Sequence, residues 1–263
     1  MHKVAIQLGG LTIYWYGVLV AAGFLAGIWT ASRRAPIVGV GRERVADLGP
    51  WLIVGGIVGA RLLYVISYWR EDFADRPLWE ALMIRQGGLV FYGGFIGAAL
   101  AHVLYCRLKR LPIWTMADIL APSIPLGYFF GRLGCLMNGC CYGGACDLPW
   151  AIQFPEGHET WPTRVHPTQL YEAFAGLALY GFLAWAYRRR SFDGQIFALF
   201  LVANASLRFL IEFFRADYPV RYLGGWATPA HVIAMLLLAA GVTLWVVLRR
   251  NRKPTVAGTD RAP

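Results

Sequence analysis

Seven apolar stretches, each close to the length needed to cross a bilayer, dominate this chain of 263 residues: 11–31, 47–69, 88–106, 116–137, 170–187, 193–214 and 226–248. A helix rising 1.5 Å per residue needs about 20 apolar residues to span the hydrocarbon layer. With 57% hydrophobic and only 15% charged residues, the chain lacks the polar surface of a soluble domain this long. The pattern predicts an all-α polytopic membrane protein with about seven transmembrane helices, organised as a single transmembrane domain over 1–263. The first stretch does not read as a cleavable signal peptide, because Arg33 and Arg34 follow the apolar run and only Lys3 precedes it.

Loop charges orient the bundle. The ends of the odd-numbered crossings that would face the cytoplasm carry fifteen Lys and Arg, and the opposite side carries seven, Arg215 among them. The bias predicts N-out, C-in. It also accounts for most of the net charge of +10, so no nucleic-acid partner is expected, and the basic run 249–253 reads as an anchor at the membrane surface. The loops 70–87 and 138–169 are long enough to build a small extracytoplasmic cap, and 254–263 reads as a disordered cytoplasmic tail. No internal or inverted repeat is evident, which counts against a secondary transporter.

Charges inside the apolar stretches are costly, at least ~2.5–3.5 kcal/mol each near the bilayer centre. Arg61, Arg132 and Arg208 are such charges, with Glu212 one turn beyond Arg208. Two readings stand. In one, an Arg208–Glu212 pair at i, i+4 is a salt bridge that holds helices together. Alternatively, one glutamate leaves guanidinium charge over, and the cluster is a pocket for an anion. Arginine's planar fork suits phosphate, and phosphate at that depth belongs to a phospholipid head group. The charges lie toward one membrane face, which disfavours an anion transporter with a path through both leaflets.

Glycines crowd the same regions, in Gly87–Gly94 and in the run from Gly127 to Gly144. They serve close helix packing, or free backbone N–H groups for an anion. Cys135, Cys140, Cys141 and Cys146 lie within 12 residues. Their spacing of 5, 1 and 5 fits zinc motifs poorly, so no metal is expected. A disulfide, catalytic thiols and simple packing remain open, and a membrane thiol-redox protein is a rival reading; a structural use is the expectation.

The motifs YWYG (14–17), GGLVFYGG (87–94), GRLGCLMNGCCYG (131–143), HPTQLYE (166–172) and RFLIEFFR (208–215) resemble, in kind and order, those of prolipoprotein diacylglyceryl transferases. The resemblance covers nearly the whole chain. It implies an enzyme of the bacterial inner membrane, active toward the outer leaflet. Such an enzyme takes the diacylglyceryl group of phosphatidylglycerol and joins it to the lipobox cysteine of a prolipoprotein signal peptide. A thioether forms and glycerol phosphate leaves; no cofactor is needed. On this resemblance Arg132, Arg208, Glu212 and Tyr92 are expected to be catalytic, and Tyr16, Arg61, Asn138, Gly143 and His166 to bind substrate. The chain departs from the family's best-known pattern where Tyr92 replaces a common histidine, and where Cys135 and Cys140 replace asparagine and glutamate. His166 is then a candidate base, and a family-fold paralogue with another acceptor is the alternative.

Overall fold

A helix stands at each of the seven apolar stretches. The computed structural model describes residues 3–9, 11–74, 77–83, 87–215 and 227–251; the expected tail 254–263 lies outside them. The helices are α1 (Trp15–Arg34), α2 (Arg42–Ser67), α3 (Phe91–Leu108), α4 (Ile113–Leu120), α5 (Ser123–Asn138), α6 (Thr168–Tyr187), α7 (Gln195–Glu212) and α8 (Pro229–Arg250). Among the described residues, five helical segments are long and apolar enough to cross a membrane: Trp15–Val38, Arg42–Ser67, Ile113–Asn138, Gln195–Glu212 and Pro229–Arg250. The helices α3 and α6, of 18 and 20 residues, fill the other two stretches.

Two details depart from an all-helical chain. Residues 11–14 are not the first turn of α1. They form β2 (Leu11–Tyr14), which pairs antiparallel with β1 (Val4–Leu8), and α1 begins only at Trp15. The stretch 116–137 is broken between α4 and α5 at Ala121 and Pro122, where proline lacks the N–H that would continue the ladder.

The chain sorts into two compact units. One lies within Ser32–Met116, the other within Met1–Ala31 and Ala117–Pro263. In the first, α2 and α3 pack backbone against backbone. A Cβ on Gly97 would stand 2.1 Å from the Gly55 carbonyl oxygen, and one on Gly93 would stand 2.3 Å from that of Gly59. These are rows of small residues that let two helices touch, so Gly93 and Gly97 serve packing. Arg61, buried on α2, spends its guanidinium on backbone. Nε donates to Ala81 O (2.7 Å), Nη1 to Gly87 O and Gly88 O (2.9 and 3.2 Å), and Nη2 to Glu80 O (2.9 Å). It thereby ties Glu80, Ala81, Gly87 and Gly88 to the helix. Tyr92, the second residue of α3, is exposed.

In the second unit, α5, α6, α7 and α8 are successive packing neighbours. Gly23 of α1 lies against Gly127 and Phe130 of α5, and Gly176 of α6 against Pro125 O. Asp118 of α4 is fully buried and accepts from the backbone N–H groups of Gly194, Ile196 and Phe197 at 2.8–2.9 Å. A carboxylate there satisfies the open donors at the start of α7. The segment 139–167 is a folded cap. Its β3 (Ile152–Gln153) and β4 (Arg164–Val165) pair antiparallel, and buried Phe154 stacks on His158 with ring centroids 4.2 Å apart.

Candidate active site

Three helix ends meet around two buried carboxylates. Glu172 lies one turn into α6 and Glu212 is the last residue of α7; they are 2% and 1% exposed. A carboxylate so deeply buried needs partners, and three arginines supply them. Arg132 of α5 places Nε 2.5 Å from Glu172 Oε2, while its Nη2 donates to the Tyr128 hydroxyl at 2.6 Å. Arg208 of α7 bridges both acids: Nη1 donates to Glu172 Oε1, and Nη2 lies 2.7 Å from Glu212 Oε2. Arg215, just past α7, reaches Glu172 Oε1 at 3.5 Å and Glu212 Oε2 at 3.9 Å. Glu212 Oε1 also accepts from Thr228 Oγ1 at 2.7 Å, and Thr228 caps α8 with His231.

Among the described residues, three guanidiniums face two carboxylates. Exposure says which of them can meet a ligand. The Arg215 side chain is 5% exposed and closed in, whereas those of Arg132 and Arg208 are 15% and 22% exposed. Arg132 Nη1 and Arg208 Nε have no acceptor among the described residues. The cluster thus offers two oriented guanidinium N–H donors, which is an anion-binding arrangement.

The floor of this site is the turn after α5. Gly139 ends the helix in the left-handed conformation (φ 76°), and Cys141 repeats that conformation (φ 63°), unusual for a residue with a side chain. Gly143 then threads between two strands. Its N–H donates to His166 O at 2.9 Å, the Gly144 N–H donates to Phe214 O at 3.0 Å, and Gly143 bridges antiparallel to Arg215. A Cβ on Gly143 would lie 2.4 Å from Phe214 O, so only glycine fits. Thr168 Oγ1 and Gln169 Nε2, both fully buried, donate to the carbonyls of Cys141 and Cys140 at 2.8 Å.

The expected site residues are distributed as follows. Arg132, Arg208 and Glu212 are in one cluster. Tyr16 lays its ring on Gly134, 3.0 Å from the position of an added Cβ. Asn138 ends α5, exposed, with Nδ2 3.7 Å from Cys140 Sγ. Gly143 acts through backbone. His166 faces the Tyr171 hydroxyl (3.2 Å) and the Phe214 ring. Arg61 and Tyr92 belong to the other unit. The Arg208–Glu212 salt bridge is present, but within a larger network.

Sequence reasoning missed Glu172 and Asp118, both acids inside apolar stretches, although the cost rule applied to arginine finds them equally well. Arg215, assigned there to an outer loop, is buried in the cluster. The cysteines hold a third surprise. All five are free thiols, and the sulfurs of Cys135, Cys140 and Cys141 lie within 4.8 Å of one another. Hydrogen bonds from Cys135 and Cys140, aided by Arg132 and Arg215, hold the Cys141 thiol below its ordinary pKa despite burial.

Comparison with known proteins bears on what this arrangement serves. A family model described as prolipoprotein diacylglyceryl transferase matches residues 3–247. The phosphatidylglycerol–prolipoprotein diacylglyceryl transferase of Nitratidesulfovibrio vulgaris is 38% identical over 256 residues, covering 95% of this chain and 94% of its own. The enzyme of that name from Rhodospirillum rubrum is 37% identical over 267 residues (98% and 96%). That from Photobacterium profundum is 38% identical over 251 residues (93% of each). With the family matched from the first hairpin to the last helix, this chain belongs to the prolipoprotein diacylglyceryl transferase family.

Proposed function

We propose that the protein transfers the diacylglyceryl group of phosphatidylglycerol to the lipobox cysteine thiol of a prolipoprotein signal peptide, the first step of bacterial lipoprotein maturation. The observation that carries this reading is the pair of open N–H donors on Arg132 and Arg208, two part-exposed guanidiniums held side by side by Glu172. Phosphatidylglycerol brings a phosphodiester with one negative charge. As the glyceryl carbon–oxygen bond breaks, the departing glycerol phosphate gains a second negative charge. Donors already aimed at that oxygen bind it more tightly in the transition state than in the ground state.

The bonds balance without an added reagent. The acceptor sulfur, as thiolate, attacks the glyceryl carbon and forms the carbon–sulfur bond. The carbon–oxygen bond to phosphate breaks, and its electron pair leaves with glycerol phosphate. The thiol's proton is released. Holding the carbon and sulfur together in a confined pocket supplies a large share of the acceleration. In this reading Glu172 and Glu212 orient the arginines, and Tyr16, Asn138 and the Gly143 turn line the lipid head group. Tyr92 and His166 contact substrate. Arg61 keeps its donors on the carbonyls of Glu80, Ala81, Gly87 and Gly88.

The membrane arrangement follows the same reading: seven crossings in the bacterial inner membrane, N-terminus outside and C-terminus inside. The Arg132 cluster opens toward the outer leaflet, the cap 138–169 lies outside, and one domain carries the whole reaction. What supports this orientation is the fifteen-to-seven bias of basic residues. The deciding experiment incubates the purified protein with phosphatidylglycerol and a lipobox peptide, then weighs the peptide. A gain of one diacylglyceryl group, absent with Arg132→Ala and with a peptide whose cysteine is serine, is expected. An unmodified peptide after incubation with folded wild-type protein would refute the proposal.

A further inference from the structure

We propose that Cys135, Cys140 and Cys141 form a three-thiolate site for a soft d10 cation, Zn(II) or Cu(I), at the edge of the arginine cluster. Two observations carry it. The sulfurs already lie within 4.8 Å of one another. Thiolates bound to zinc at ~2.3 Å with tetrahedral angles stand roughly 3.8 Å apart, so a small side-chain adjustment closes the site. The turn that gathers them is built, not incidental. Cys141 is held left-handed, and the carbonyls of Cys140 and Cys141 are pinned by the buried Gln169 and Thr168.

Such a site has a use in the reaction proposed above, and this part rests on that reading. A three-coordinate metal keeps a fourth position, and the acceptor is itself a thiol. The lipobox sulfur would bind there, exchanging its S–H bond for a metal–sulfur bond and releasing the proton to solvent. The bound thiolate would then attack the glyceryl carbon, and the neutral thioether, a weak ligand, would leave the metal. This supplies an activated nucleophile in a chain where Tyr92 stands at the position of the family's usual histidine. Cys146 is left outside the cluster.

The test begins on wild-type protein in detergent and needs no turnover. Titration with Cd(II) should show uptake of one ion per chain with thiolate-to-metal charge-transfer absorption. Zn(II) should protect three cysteines from alkylation, read by peptide mass. Cys135→Ser, Cys140→Ser and Cys141→Ser should each weaken Cd(II) binding by at least about tenfold, and Cys146→Ser should not. Equal alkylation with and without Zn(II), a mass showing a disulfide among the three, or the same loss in Cys146→Ser would each overturn the site. With Co(II) bound, a lipobox peptide should change the visible spectrum only if it carries cysteine. An identical spectrum with the serine peptide overturns the fourth-ligand role. Because Cd(II) uptake is read without transfer, an inactive transferase assay leaves this result standing, and the reverse holds too.

Discussion

Replacing Glu172 by glutamine tests the architecture at its centre. Glu172 takes Arg132 on one oxygen and Arg208 and Arg215 on the other. Glutamine keeps the shape but offers one acceptor oxygen, and turns an NH2 group toward a guanidinium. One charge-assisted hydrogen bond is lost outright, and a second contact becomes repulsive. Breaking a buried pair by neutralising one partner costs about 3–5 kcal/mol, so the purified variant should unfold at distinctly lower temperature. The effect on rate has a separate signature. The cluster gains one positive charge, so the KM for anionic phosphatidylglycerol should hold or fall. Arg132 loses the partner that aims it, and one misdirected transition-state contact of ~2–3 kcal/mol lowers kcat about 30- to 150-fold. Initial rates in mixed micelles with varied phosphatidylglycerol separate the two constants. A Glu172→Gln enzyme with kcat within about twofold of wild type and an unchanged unfolding temperature would show that the network does not orient Arg132, and would refute this reasoning.

Arg208→Lys should lose most activity while the protein still inserts, since an ammonium cannot bridge Glu172 and Glu212 and still present a planar donor; Glu212→Gln should lose less, because Thr228 still binds its oxygen, and steady-state rates order the two. Gly97→Ala should destabilise the protein, although alanine gains about 1 kcal/mol over glycine in an open helix, because its Cβ would stand 2.1 Å from the Gly55 carbonyl oxygen; thermal unfolding in detergent reads the sign. Gly143→Ala should lower transfer per folded molecule strongly, since the Phe214 carbonyl at 2.4 Å must move and carries Arg215 with it; the mass assay normalised to folded protein checks this.

Much of the architecture is legible before any coordinates, because bilayer thickness sets a length that apolar stretches either meet or miss. The breaks are less legible. Pro122 signals the α4–α5 break only to a reader who gives proline more weight than the surrounding hydrophobicity. Leu11–Tyr14 is apolar enough to be counted with α1, yet its pairing with Val4–Leu8 satisfies its backbone first. At the site, the cost of burying charge points to Arg132, Arg208 and Glu212, and the same cost finds Glu172 once acids are counted as strictly as bases. Which partner a buried charge takes is a tertiary fact. Arg61 and Arg132 look alike in sequence, but one spends its donors on four carbonyls and the other keeps a face open. The convergence of three sulfurs depends on the left-handed backbone of Cys141, a conformation that residue type does not announce.

The two ends of α7 carry a consequence of their own. Asp118 fixes the N–H groups of Ile196 and Phe197, while Arg208 and Glu212 are held at the far end. Twelve residues separate Ile196 from Arg208, a rise of about 18 Å. The helix is therefore a gauge rod clamped at both tips, with its length setting the depth at which Arg208 sits. One residue inserted between the clamps would swing Arg208 by about 100° and lift it by about 1.5 Å, carrying its guanidinium away from Glu172. Lipid-facing side chains along the rod can be exchanged freely for others of like polarity, but the number of residues between the clamps cannot change.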